Sequence, residues 1–192
     1  MRRHFCSRFL GSGLFLLLAF PCLANEVLRF GFESGSLGGW RVVEGRFGDV
    51  VTGRERFHNQ PEMAYDKEGR YFLSTLESPE GQSHDAYTGV IESPVFVLAR
   101  PDVRLHVGGG SGENTYVALC TPDGEEVAWA RGNNTERMAR HRWLLPELVG
   151  QPVFLRVVDR STGSWGHITV DAIAARGRID PRATKTHWTN RE

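Results

Sequence analysis

The segment with the most chemistry-capable side chains runs Asp159-Arg160-Ser161-Thr162-Gly163-Ser164-Trp165-Gly166-His167. It holds an acid, a guanidinium, hydroxyls, an aromatic and an imidazole, punctuated by glycines that allow tight turns. Sugars offer apolar faces to Trp and fixed hydroxyls to Asp, Asn, Arg and His, so this set suits carbohydrate binding better than bond breaking. Other residues of the same types flank strand ends elsewhere: Asp85 before an apolar run, Asn114 after a triple glycine, and Arg142. The expected site is one loop-built pocket of Asp85, Asn114, Arg142, Trp165 and His167. On this reading the side chains sit at the loop surface. Asp85→Ala or His167→Ala then weakens sugar binding by about 1–3 kcal/mol with little effect on stability.

Metal and catalytic chemistry find less support. The seven histidines are scattered, without HExxH or other compact ligand spacing. Hard oxygen donors are better placed. Glu33 ends the first apolar run and Asp171 lies in the last, so pairing of first and last strands brings two carboxylates together for a structural Ca²⁺. Glu44, Glu92 and Asp159 are the acids available for acid/base work, but sequence does not give the carboxylate separation that glycoside hydrolysis requires. There is no Gly-x-Ser-x-Gly elbow, phosphate loop or dinucleotide fingerprint. The chain reads as a binding domain, not an enzyme.

The elements that must position these residues are strands. Short β-branched or alternating runs occur at 27–33, 40–44, 71–76, 88–91, 95–98, 103–107, 115–120, 126–130, 141–144, 153–158 and 168–173, separated by Gly, Pro, Asn and Asp. Thr121-Pro122-Asp123-Gly124 between two of them is a turn, with Pro fixing one φ and Gly allowing a positive one. Gly108-Gly109-Gly110 reads as a place where backbone passes closely. Residues 136–140 have a short helical composition. The polar stretch 45–70 has no sustained alternation and reads as a long functional or mobile loop. The pattern predicts an all-β, jelly-roll-like β-sandwich forming a single domain over 25–177, followed by a flexible tail over 178–192.

Composition and the amino end bound the setting. Arg2, Arg3 and Arg8, an apolar run over 14–20 and a small residue at Ala24 make up a secretory signal over 1–24. The run is too short for a stable membrane anchor. The chain has 23 basic and 23 acidic residues. Loss of the three signal arginines leaves an acidic excess of 3, which excludes a nucleic-acid surface built on overall basic charge. Cys6 and Cys22 leave with the signal, so Cys120 remains without an intrachain disulfide partner. A secreted or periplasmic location follows.

Several segments together resemble a known family. Asp85-Ala86-Tyr87-Thr88-Gly89 with Ser93, His106 to Gly110, Asn114 to Leu119 and, most closely, Val158 to Asp171 follow the order seen in the levan-binding module attached to levanases, carbohydrate-binding module family 66. Phe32-Glu33-Ser34-Gly35 with Leu37 to Trp40 is similar to the opening of jelly-roll carbohydrate-binding modules. The likeness spans 27–174, and Ser164 stands where a second Gly is usual. It implies a non-catalytic β-sandwich that holds a terminal sugar, fructose in the levan case, in a pocket made by loops. The alternative is a structural or protein-interaction sandwich of the cell envelope, with a protein partner in place of a glycan.

Overall fold

The computed structural model describes residues 26–57, 59–76 and 85–191, and within them the alternating runs become eleven antiparallel strands. They are β1 Val27–Phe30, β2 Arg41–Gly45, β3 Val51–Thr52, β4 Phe72–Ser74, β5 Gly89–Glu92, β6 Phe96–Gly109, β7 Thr115–Cys120, β8 Glu126–Ala130, β9 Thr135–Leu144, β10 Pro152–Asp159 and β11 Ile168–Ile179. One layer is built on β11 and β6: β6 pairs β9 on its far side, while β4 and then β1 pair the other edge of β11, and β3 extends β4. The second layer runs β2-β5-β10-β7-β8. The layers join where Pro152 and Val153 of β10 pair with Val97 and Phe96 of β6. The result is the expected jelly-roll-like β-sandwich. The expected pairing of first and last strands is present, with Val27 opposite Arg176 and Phe30 opposite Ile173.

Alternation explains the core. On β6, Val103, Leu105 and Val107 face inward, and on β7 Val117 and Leu119 do so. They meet Leu155 and Val157 of β10 and Ile168, Val170 and Ile173 of β11 in one buried cluster. Burying large aliphatic side chains of this kind stabilises by about 1.5–3 kcal/mol each. The turn at Thr121-Pro122-Asp123-Gly124 forms as expected, with Gly124 N donating to Thr121 O at 2.9 Å and φ of 93° at Gly124.

Four expectations are corrected. The runs at 95–98 and 103–107 are one strand: Pro101 falls where the β6–β11 register shifts, between Leu98–Gly177 and Val103–Ala175, so no ladder N–H is needed there. Residues 136–140 are not helical but lie in β9, because the pairing of Ala139, Arg140 and His141 with Val107, His106 and Leu105 overrides helix propensity. The stretch 45–70 is a packed cover, not an open loop: it contributes β3, an Arg56–Ala64 bridge, and Phe57 and Tyr65, which cluster with Phe72 and Met138.

The fourth correction is the tail. β11 runs on to Ile179, and helix α1 spans Pro181–Thr189. The Asp180 carboxylate accepts from Arg182 N and Ala183 N at 3.0 and 2.9 Å, and Pro181 sits in the first turn, so the helix start is capped. His187 and Trp188 are buried, and the His187 ring lies 4.3 Å from that of Phe154. His187, Arg191 and Arg156 all bind the fully buried Glu92 at 2.8 Å. The signal assigned to residues 1–24 and His58 of the long loop lie outside the described residues. No helix among the described residues is long and apolar enough to cross a membrane.

Candidate functional site

The loop between β10 and β11 closes one end of the sandwich, and glycines decide its path. Gly166 N donates to Gly163 O at 2.8 Å, and Gly110 N to His167 O at 2.9 Å. A Cβ on Gly110 would fall 2.0 Å from the Trp165 carbonyl oxygen, and one on Gly166 2.5 Å from that of Ser161. The triple glycine at the end of β6 is therefore required by the close approach of the Trp165 loop. Arg160 ties the loop outward, its N donating to Asn114 O at 2.8 Å and its guanidinium gripping Glu44 in a two-pronged pair at 3.0 and 2.6 Å.

This path presents Trp165 with φ of 61° and 37 % exposure, its ring 5.6 Å from that of His167. A left-handed conformation is costly for a bulky residue, and the tight packing of Gly110 and Gly166 holds it there. His167 points the other way and is only 4 % exposed. Its Nδ1 lies 2.7 Å from Asp85 Oδ1 and its Nε2 2.8 Å from Glu136 Oε1. Ionised carboxylates only accept, so the two contacts favour the ring with both nitrogens protonated. Burial pushes the His167 pKa down, but the hydrogen bonds and charges of Glu136 and Asp85 outweigh it and hold the value above 6.5.

A third acid completes the group. Asp159, at the end of β10, has no exposed surface. Burial pushes its pKa up to about 6, against the opposing hydrogen bonds from Thr75 and Ser161 and the charge of His167. Asp159 Oδ2 and Glu136 Oε2 are buried without a hydrogen-bond partner. The arrangement is a Trp and an Asp85 carboxylate, each about one-third exposed, at the rim, with the hydrogen-bonded His167 and Glu136 and the buried Asp159 beneath. It can stack one face of a ring and accept hydroxyl protons.

The structure brings Asp85, Trp165 and His167 together and puts the exposed Asn114 on the neighbouring β6–β7 loop. Arg142 is elsewhere. It pairs with Asp102, Nε to Oδ1 at 2.8 Å, opposite Arg104 on β9 and six positions along that strand from Glu136, about 20 Å away. The expected surface position of His167 is corrected: its side chain is buried between Asp85 and Glu136. Glu136 was not expected, since its sequence context suggests a polar helix. Of the other acids, Glu44 grips Arg160 and Glu92 is enclosed by Arg156, Arg191 and the His187 ring.

At the opposite edge, Glu33 and Asp171 hold the same segment. Glu33 accepts from Arg70 N and Tyr71 N at 2.9 and 3.3 Å, and Asp171 Oδ2 from Glu68 N at 2.7 Å. Asp171 Oδ1 is buried and unpartnered. A Cβ on Gly31 would stand 3.8 Å from Asp171 Oδ1 and 3.9 Å from Glu33 Oε1, so the glycine keeps a space open between the two acids. Burial, with the charges of Glu33 and Glu68 added, pushes the Asp171 pKa up to about 7. Among the described residues no group of three or more His, Cys, Asp or Glu is arranged to hold a metal. A cation here would have two carboxylates and would need its remaining oxygens from carbonyls or water.

No family model matches the chain. Over 89 residues, 46 % of its length, it is 33 % identical to a protein named as a glycosyl hydrolase, ecdE of Aspergillus rugulosus, and the match spans 13 % of that protein. Among solved structures it is similar to a family 61 carbohydrate-binding module in complex with β-1,4-galactotriose, at 15 % identity and a TM-score of 0.47, covering 76 % of this chain and 94 % of that one. It is also similar to the K1 adhesin domain of Lys-gingipain from Porphyromonas gingivalis, at 13 % identity and a TM-score of 0.45, covering 81 % and 99 %. A tandem family 22 module of Paenibacillus barcinonensis Xyn10C gives 16 % identity and a TM-score of 0.41, covering 84 % and 48 %.

Proposed function

We propose that this is a non-catalytic carbohydrate-binding domain that seats a sugar on Trp165 at the β10–β11 end of the sandwich. The observation that carries the reading is the conformation of Trp165, held at positive φ by glycine-packed backbone with its ring in solvent. A core aromatic needs no such strain. Asp85 supplies the polar contact, and His167 with Glu136 fixes its carboxylate before the ligand arrives. The match to a stretch covering 13 % of a protein named as a glycosyl hydrolase supports an accessory role beside carbohydrate chemistry. Terminal fructose is the first sugar to test.

A glycan array that includes fructose-ended and galactose-based oligosaccharides is expected to give hits with the parent protein. Trp165→Ala is expected to abolish them, because losing an aromatic platform removes about 1–3 kcal/mol, a tenfold to hundredfold fall in affinity. The substitution keeps a Cβ at positive φ and removes a side chain that is one-third exposed, so the melting temperature is expected to stay close to the parent's. Hits that survive Trp165→Ala would place the sugar elsewhere.

The protein-interaction reading has one observation in its favour. Trp129 is 60 % exposed on β8, which among the described residues pairs only with β7 and so forms an edge of its layer. Capture of a protein partner through β8, with an empty glycan array, would support it instead.

The same proposal includes a structural Ca²⁺ between Glu33 and Asp171. Its support is the unpartnered Asp171 oxygen and the space kept by Gly31. The ion would tie the segment 68–71 to the β1 and β11 edge and neutralise neighbouring carboxylates. Chelator is expected to lower the melting temperature of the parent protein and to leave Asp171→Asn unmoved. An unchanged parent midpoint, with no metal in the purified protein, removes the ion from the account.

A further inference from the structure

The outer face of the β1-β11-β6-β9 layer is a basic trough, and the strand register explains how it forms. Reading across the sheet, Arg29 of β1 lies opposite Ala174 of β11, which lies opposite Arg104 of β6, which lies opposite Arg142 of β9. Directly paired residues share a face, so small side chains on the central strand are walled by arginines on its neighbours. One row on, Asp171, His106 and Arg140 align in the same way. Ala172, at φ of 50° in the irregular stretch between Asp171 and Ala174, widens the floor. The hollow measures about 860 Å³.

Its charge stands out from a chain whose formal net charge is zero. Five arginines, at 29, 100, 104, 140 and 176, line it against two acids, Glu68 and Asp102. Asp102 is already taken by Arg104 and Arg142 at 2.8 Å each. Arg29, Arg100 and Arg140 are exposed and make no ion pair with a described residue. The floor also holds His106, 8 % exposed, whose Nδ1 is buried without a partner. A concave surface that gathers unpaired cations concentrates field and attracts an anion of matching spacing. A flat stack of alanines beneath it leaves room for a chain of rings.

We propose that this trough binds an acidic polysaccharide, with the arginines taking the carboxylates of successive uronate sugars. It goes beyond the end-loop site, since it is a different face and requires neither Trp165 nor His167. A glycan is preferred to a nucleic acid because the chain outside the trough is acidic, and the opposing charge disfavours a long phosphate backbone lying across it.

The test is titration of the protein with polygalacturonate at low and at physiological ionic strength, beside neutral galactan and single-stranded DNA. Polygalacturonate is expected to bind, with affinity falling as salt rises, while galactan does not compete. The double variant Arg29→Gln, Arg140→Gln is expected to lose about tenfold or more in affinity, on the scale of two charge-assisted contacts. Neither arginine makes an ion pair with a described residue, so the melting temperature of the double variant and its glycan-array response are expected to stay as in the parent. Retention of polygalacturonate by the double variant at parental affinity overturns the site. DNA binding as tight as polygalacturonate overturns the sugar assignment. Failure of the end-loop reading shows separately, as an empty neutral array with polygalacturonate binding intact.

Discussion

His167→Ala is expected to destabilise the domain by about 3–5 kcal/mol, the cost of leaving a buried charge without its partner. The imidazolium is 4 % exposed between Asp85 and Glu136, and Glu136 is itself 5 % exposed with one oxygen already unpartnered. The sign of the pH dependence follows from the direction of the shift. The folded pKa of His167 is raised, so its contribution is fully present below the ordinary value of 6.5 and is lost as pH climbs through the folded value. The deficit of the variant is therefore greatest near pH 6 and shrinks in alkali. Asp159, raised to about 6, also makes the fold less stable as pH rises, and because the His167 charge holds it down in the parent the effect is stronger in the variant; Asp159→Asn in both backgrounds takes it out of the difference. Calorimetry of parent and variant across this range checks the result. A second variant, Glu136→Gln added to His167→Ala, is expected to recover part of the loss by removing the stranded charge. Equal melting temperatures for parent and His167→Ala at pH 6 would falsify the buried-imidazolium account.

Truncation before Asp180 is expected to cost as much. Removing α1 strips His187 and Arg191, two of the three hydrogen-bonding partners, from Glu92, which has no exposed surface, and uncovers Phe154. It also removes the Thr184 hydroxyl that accepts from Val95 N at 3.0 Å. Losing the buried Trp188 adds about 1.5–3 kcal/mol. A chemical reporter lies beneath the helix: Cys120 packs in the cluster that Ala183 covers, and burial pushes its thiol pKa up to about 12. The full chain is expected to resist a thiol reagent and the truncated chain to react. A silent thiol and an unmoved melting temperature after truncation would mean that the helix is only laid on the surface.

Strands were legible where alternation or β-branching was strong. The boundaries 115–120 and 126–130 follow directly from their runs, and 153–158 and 168–173 fall inside β10 and β11. The triple glycine also declared its purpose. Some signals were present and outweighed: Asp180-Pro181 is a helix start, but the polar composition after it suggests a tail. Others were absent. Nothing in Glu136-Arg137-Met138-Ala139-Arg140 marks an edge strand, because pairing with β6 supplies the energy that composition does not. The site was half legible for the same reason. Trp165, His167 and Asp85 announce themselves by type, but which of them is buried depends on how β9 passes behind the loop. Arg142 has the right chemistry at the wrong end of its strand.

The pairing of β1 with β11 has a consequence in time. Val27 meets Arg176 across nearly the whole length of the described chain, so the first strand emerges long before its partner exists. Closing so large a loop is entropically costly, and folds dominated by such distant pairings form slowly. Until the last strand arrives, the edge of Val27–Phe30 and the apolar inner faces of the middle strands are open to other chains. The molecule thus acquires its Glu33–Asp171 edge, its basic trough and its end-loop residues together and late, in the step that brings β11 between β1 and β6.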